Sequence, residues 1–434
     1  MITRKYYIPL KLTILYVAIT FLLSVIGPVT YLKYDYKYWL VFMYLFAVFA
    51  FMALGYNVGL RSNRVTRFII VKKTKKEKGW KSAYKLIKIS IIVALLSLIL
   101  EVLYLYASGS FHISLSSLGD NYFQDIDGSS GIMVFRFATD FFRVSCCTMG
   151  FFYFKRLKKK YRLGVILVAL LILSVALFGY GQQKSIGDLF IYLAVALFTN
   201  SIKSVAKLSS RTKKIIIIGG ITVLFALAFI QSQRYKMIGV TASNYASRST
   251  GEIGYNTDSI IFKIFGDDIG FGLSVILTSY LSMGYYGLSL CMQMPFKWTY
   301  GVGSSRALTK LLEKIGILGI DSRTYLGRLG STYGRDGLAS WNTIFPWLAS
   351  DMTYLGVIFY FFFVGYVMGK SWKEVLERDN PISYMMFAIL MLMVCFVPAN
   401  NQLFHSYGSF VSTICILFLW FFSRGNYNVS ESEN

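Results

Sequence analysis

Apolar runs of about twenty residues recur along the chain between short polar segments, and each is long enough to cross the hydrocarbon core of a bilayer as a helix. IPLKLTILYVAITFLLSVIG at 8–27 is the first. The pattern predicts ten spans, near 8–27, 37–59, 86–108, 132–154, 163–180, 186–202, 215–231, 345–369, 381–399 and 406–422. The expected fold class is all-α, a polytopic membrane protein forming one multi-pass domain over 1–434 with no separate soluble domain. More spans follow the first run and no small-residue cleavage site ends it, so it is expected to remain a span rather than act as a removed signal.

Lys and Arg alternate from connection to connection. The segments 1–11, 60–88, 155–162, 203–214, 370–380 and the C-terminal tail together carry 29, whereas 28–37, 109–131, 181–185 and 398–406 together carry three. By the positive-inside rule both termini face the cytoplasm. The basic loop at 60–85, which includes VKKTKKEKGWK (71–81), is then cytoplasmic and suited to anionic lipid headgroups.

One connection departs from the pattern. Residues 232–344 form a 113-residue extracytoplasmic loop with eleven Lys/Arg and seven Asp/Glu. Loops of that length are usually functional or disordered, and this one is too rich in aromatics for disorder. Within it FGLSVILTSYLSMGYYGLSLC (271–291) is almost apolar enough to span. It is expected to be re-entrant or to lie at the interface.

The net charge of +24 would suit nucleic acid if it were clustered on one face, but it sits in the loops, where it is a topology signal. Composition agrees with a membrane protein: 55% hydrophobic and 17% aromatic. Five cysteines, four at membrane depth, have neither a disulfide framework nor zinc spacing. With no phosphate-binding GxxxxGK[ST] loop and no HExxH, neither an ATPase nor a zinc hydrolase is expected, and no cofactor or metal.

The ionisable residues within the spans carry the chemistry. Glu101 falls near the outer end of the third span, and Arg136, Asp140 and Arg143 in the outer half of the fourth. Lys184 and Asp188 flank an outer turn, Asp351 is in the outer third of the eighth span, and His112 and His405 fall at outer span ends. Charges at bilayer depth cost about 2.5–3.5 kcal/mol each and face a bundle interior or wet cavity. Their concentration on one side predicts a cavity opening outward. Arg136, Asp140 and Arg143, at i, i+4 and i+7, share one helix face. One carboxylate cannot neutralise two arginines, so the set is expected to stay positive. It is either an intrahelical ladder or an anion site suited to a diphosphate.

The large loop offers further cations. Arg234 lies just outside the seventh span. YGVGSSRALTKLLEKIG (300–316) reads as a turn capped onto an amphipathic helix by Ser304 or Ser305, with Arg306 beside the N-terminus, Leu308, Leu311, Leu312 and Ile315 as the buried stripe and Gly316 as the stop. Arg323, Arg328 and Arg335 are spaced among Gly and Tyr in a pattern that suits sugars and phosphates, or a plain solvated loop. Asp125 and Asp127 form a DxD, and Asn428 opens an NxS sequon in the predicted cytoplasmic tail.

WNTIFPWLASDMTYLGVIFYFFFVGYVMG (341–369) resembles the hallmark of bacterial oligosaccharide repeat-unit polymerases, the Wzy-type O-antigen and capsule polymerases. Their Asn, Thr, aromatic-Pro, Asp and Gly fall here on Asn342, Thr343, Phe345, Pro346, Asp351 and Gly356. YLSMGYYGLSLCMQMPFKWTYGVGSS (280–305) is similar to the family's Gly/Tyr-rich outer segment. FGYGQQKSIGDLF (178–190) stands where members often carry Gly-Ser-Arg; this chain has Gln182, Gln183 and Lys184, leaving Lys184 as the cation.

The resemblance implies an enzyme of the bacterial cytoplasmic membrane that acts at its outer face. Donor and acceptor would be polyprenyl-diphosphate-linked oligosaccharides, with membrane lipids and a chain-length regulator as partners and no nucleotide or nucleic acid. Arg136 and Arg143, with Arg234, then Arg328 and Arg335, would stabilise the departing diphosphate. Asp351, then Asp140 and His405, are the candidate bases. The rivals are an O-antigen ligase or other lipid-sugar glycosyltransferase, a lipid-linked oligosaccharide flippase, and a non-enzymatic assembly factor.

Overall fold

The computed structural model describes residues 4–62, 75–111, 130–205, 209–248, 251–338, 340–378 and 380–422. His112, Asp125, Asp127, most of the basic stretch at 71–81 and the sequon at 428–430 lie outside the described residues or have undescribed side chains.

The chain is mostly helical. In order the helices are α1 (Ile8–Ile26), α2 (Tyr38–Arg61), α3 (Lys75–Ala107), α4 (Ser130–Phe152), α5 (Lys159–Ser174), α6 (Lys184–Val205) and α7 (Ser210–Met237). A single helical turn at Tyr245–Arg248 and four further helices follow in the large loop: α8 (Ile260–Ser279), α9 (Met283–Cys291), α10 (Arg306–Lys314) and α11 (Tyr325–Tyr333). The chain then continues through α12 (Phe345–Arg378), α13 (Pro381–Phe396) and α14 (Tyr407–Phe422). Among the described residues seven helices are long and apolar enough to cross a membrane. This is the architecture of a multi-pass helical membrane protein. The other three predicted spans are also helical. α4 carries three charges, and α13 and α14 are 16 residues each.

Helix starts follow local chemistry. Pro9 and Pro381 sit in first turns, where a missing N–H costs nothing. Asn380 caps α13 by accepting from the N–H groups of Ile382 and Ser383 at 3.0 and 3.3 Å. Ser209 does the same for α7 through Thr212 at 3.1 Å.

The tightest helix pair is α2 against α12, and small residues explain it. A methyl added at Gly55 would overlap the carbonyl of Phe362, and one at Gly365 the carbonyl of Met52. Gly59 and Gly369 repeat this one turn on, against Tyr366 and Tyr56. Two GxxxG faces thus bring the backbones together, as lipid-embedded helices do when burial from water offers no driving force.

The eighth span is not one continuous helix: Thr353 takes φ 62°, ψ 165°, and splits α12 into a short first piece, Phe345–Met352, and a long second one. The Thr353 hydroxyl accepts from the Gly356 N–H at 3.3 Å and caps the second piece. Residues 271–291 form two helical pieces. They break at 280–282 between α8 and α9, and α8 is itself bent at Gly266 (φ 70°, ψ 178°). At about 1.5 Å per residue, α9 reaches about 14 Å, half a bilayer core. It is buried in protein, with Tyr285 and Tyr286 wholly covered, which is where broken backbone at membrane depth is tolerated. A two-stranded antiparallel ribbon, β1 (Val29–Tyr31) with β2 (Ile253–Tyr255), ties the end of α1 to the large loop.

Candidate functional site

Glu101, on α3 and fully buried, is the centre of the polar cluster. Its Oε2 lies 2.7 Å from Nη1 of Arg143 and its Oε1 lies 3.5 Å from Nε of Arg136. The Tyr180 hydroxyl donates to Oε1 at 2.9 Å. Arg143 also reaches Asp140 at 3.5 Å and donates through Nε to the Ser97 hydroxyl at 3.0 Å. Arg136 stacks 5.1 Å from the Tyr180 ring. Sequence spacing put Asp140 between the two arginines; the structure puts the acid of another helix there. Glu101 was visible as a lone acid in an apolar run, but its partners were not.

Arg136, Asp140, Arg143 and Tyr180 face a cavity of about 170 Å³ between α3, α4, α5, α6, α13 and α14, with Glu101 buried behind them. Arg136, Asp140, Arg143, Lys184, Asp188 and Gln402 line it, with Ser406 and Ser409 at the start of α14. A π-helical turn, Val175–Gly179, ends α5, and its Val175 and Ala176 border the cavity just before Tyr180. Such turns are frequent at functional sites because they re-aim side chains. Lys184 pairs with Asp188 at 3.6 Å. Gly408 is where α14 meets α4: any Cβ there would overlap the Asp140 carboxylate.

The expected surplus of positive charge is not found. Arg136, Arg143 and Lys184 are matched by Glu101, Asp140 and Asp188. Donors nevertheless remain. Nη2 of Arg143 is buried without an acceptor among the described residues, and Arg136 keeps 39% of its side chain exposed.

The remaining candidate residues make contacts away from the cavity, although Nη2 of Arg328 is also buried without an acceptor among the described residues. The Asp351 carboxylate does not line the cavity; it accepts from the Thr299 hydroxyl, from the Gly303 N–H at 3.1 Å and from the Ser304 N–H at 2.7 Å. It therefore clamps the 299–304 turn, outside the cavity that the other charged groups line. Arg335 is buried against Glu252 at 2.6 Å and donates to Asn342 Oδ1 at 3.1 Å. The Asn342 amide in turn donates to the carbonyls of Gly337 and Ser340 at 2.8 and 2.7 Å. Both residues tie the large loop together.

Arg234 donates to the Gly181 carbonyl and shapes the turn before Lys184 from behind. Arg306 pairs with Asp321. Arg323 donates to the Trp298 carbonyl at 2.8 Å, and Arg328 to that of Arg323 at 3.2 Å. None of Arg234, Arg306, Arg323, Arg328 and Arg335 lines the cavity. A long loop that must bury polar backbone needs such donors to fold.

His405 directly precedes the cavity rim at Ser406. Its ring packs edge-on against Trp347 at 5.9 Å, and its Nδ1 is buried without a partner among the described residues. Burial, and then the charges of Lys184, Lys310 and Arg306, push its pKa down to about 3. The imidazole is thus neutral at physiological pH and keeps an acceptor nitrogen. Ser305 caps α10 as expected, accepting from the Leu308 N–H at 3.2 Å, and Gly316 ends that excursion at φ 88°.

No family model, curated protein or solved structure matches the chain.

Proposed function

We propose that the chain polymerises polyprenyl-diphosphate-linked oligosaccharide repeat units at the outer face of the bacterial cytoplasmic membrane. The observation that carries this reading is the Arg143 Nη2 donor, buried and without an acceptor on the wall of a polar intramembrane cavity, with Arg136 beside it. A cavity of that kind calls for an anionic group, and a diphosphate accepts from both guanidinium forks. The charge distribution supports the orientation. The cavity lies next to 181–185 and 398–406, connections poor in Lys and Arg, which the positive-inside rule assigns to the outside of a ten-span, both-termini-inside topology.

In this reading a hydroxyl oxygen of the acceptor sugar attacks the anomeric carbon of the donor. The carbon–oxygen bond to diphosphate breaks, and the polyprenyl diphosphate leaves with the electron pair. Arg136, Arg143 and Lys184 take up the developing negative charge. Because the resting cavity is neutral, the diphosphate must compete with Asp140 and Asp188 for these cations, which frees a carboxylate beside the reacting centre. The hydroxyl proton passes to Asp140, the carboxylate on the cavity wall. No nucleotide enters the balance.

The test is reconstitution of purified protein in liposomes with a native polyprenyl-diphosphate-linked repeat unit and no nucleotide. A glycan ladder spaced by one repeat, with lipid diphosphate released, supports polymerisation. A single transfer step would indicate a ligase. Lipid crossing the bilayer without new glycan would indicate a flippase.

A further inference from the structure

Half of the stripe expected to bury α10 is in fact uncovered. Leu308 and Leu312 are half-buried, but Leu311 is exposed and Ile315 is 65% exposed. The turn that follows, Gly316-Ile317-Leu318-Gly319, presents Ile317 and Leu318 to the outside, Leu318 at 77%. A second uncovered stretch lies in the preceding turn, where Trp298 is 52% and Tyr300 57% exposed, with rings 5.1 Å apart. Arg323 joins the two stretches: it follows the tip in sequence, donates to the Trp298 carbonyl at 2.8 Å and lies 4.9 Å from the Tyr300 ring. Tyr300 is held at φ 59°, a conformation that costs a non-glycine residue energy and keeps its ring outward.

Two features say what covers this surface. First, Asp351 clamps the 299–304 turn, which holds Tyr300 and directly follows Trp298, and just past the break at Thr353 the second piece of α12 begins an outward stripe of Leu355, Phe359 and Phe363, all more than half exposed. In a membrane helix such a stripe faces lipid, so the aromatic turn stands at the end of a lipid-facing surface. Second, charges accompany the apolar groups in the interfacial pattern. Lys297, Arg306, Lys310, Lys314 and Arg323 outnumber Glu313 and Asp321. Trp and Tyr at the headgroup level, aliphatic residues below and cations beside them are how an amphipathic element seats on a bilayer.

We infer that residues 295–320 form an interfacial anchor that inserts Trp298, Tyr300, Ile315 and Leu318 into the adjacent membrane leaflet. The anchor is tied to the cavity rim. Ser305 donates to the Phe404 carbonyl at 3.0 Å and Asn401 to that of Ser304 at 2.8 Å, just before His405 and Ser406. Seating it sets the cavity mouth at leaflet level, whatever reaction the cavity serves.

The experiment places a nitroxide at Leu318→Cys and, as a control, at exposed Ser322→Cys, in vesicles of phosphatidylethanolamine and phosphatidylglycerol. The five native cysteines are buried or half-buried, and the unsubstituted protein supplies the background. Relaxation by dissolved oxygen should exceed relaxation by a water-soluble nickel chelate several-fold at 318 and not at 322. Asp351→Ala should lower the ratio at 318. Independently, brominated lipids should quench the wild-type tryptophan fluorescence more than that of Trp298→Phe. Equal exposure of both labels to nickel overturns the inference. So does shielding from both agents, which means a protein partner, or shielding only after a soluble oligosaccharide is added, which means a sugar platform.

Discussion

The Glu101 carboxylate lies 2.7 Å from Nη1 of Arg143, and both side chains are buried between α3 and α4. Removing one partner of such a pair leaves an uncompensated charge and costs about 3–5 kcal/mol. Glu101→Gln is therefore expected to lower the thermal midpoint in detergent sharply. Arg136, 39% exposed and 3.5 Å from the same acid, makes the longer and less buried of the two ion pairs. Arg136→Gln should thus keep the midpoint and lose polymer product. A variant that kept both would remove Arg136 from the site.

Asp351 gives a second contrast. Its three hydrogen bonds hold the 299–304 turn, so Asp351→Ala leaves the N–H groups of Gly303 and Ser304 without their acceptor, at about 1–3 kcal/mol. Asp351→Asn keeps one acceptor oxygen and should retain glycan of normal length with a modestly lower midpoint. Complete loss of product with an unchanged midpoint would instead mark Asp351 as the base.

Helix contacts without side chains are testable by adding one. Gly365→Ala should push α12 off α2, and Gly408→Ala should push α14 off Asp140. Overpacking costs about 1–3 kcal/mol. The two variants should separate in their readouts: Gly365→Ala lowers stability, whereas Gly408→Ala also changes the Asp140 environment and cuts turnover beyond what its midpoint accounts for.

His405 governs a pH dependence. Its folded-state pKa of about 3 lies below the ordinary value of 6.5. The unfolded chain therefore takes up the proton first, and stability falls as pH drops from about 6.5 toward 3. Thermal midpoints between pH 7 and pH 4 should decline in the wild type and decline less in His405→Gln. For the same reason, activity should show no inflection from His405 near pH 6.5.

The sequence by itself determined the membrane class, nearly all the helices, and the region where buried charge would gather. These follow from local chemistry: an apolar run long enough to span, a proline or capping residue at its start, a charge whose cost forces it inward. Ser305 and Gly316 were legible for the same reason, because a cap and a left-handed stop act within one turn.

Only the tertiary structure decided which groups meet. Glu101 and Arg143 are 42 positions apart, and no periodicity reports a contact across two helices. The large loop was read as a source of free arginines, yet Arg234 and Arg335 are consumed by its folding, because buried carbonyls and Glu252 need donors. The break at Thr353 carries no glycine or proline signal; the clamp just before it and the packing around it hold a β-branched residue where its own preference would not. The half-uncovered stripe of α10 was periodic enough to look like core. Periodicity reports that a face is apolar, and only the neighbouring elements decide whether protein or lipid covers it.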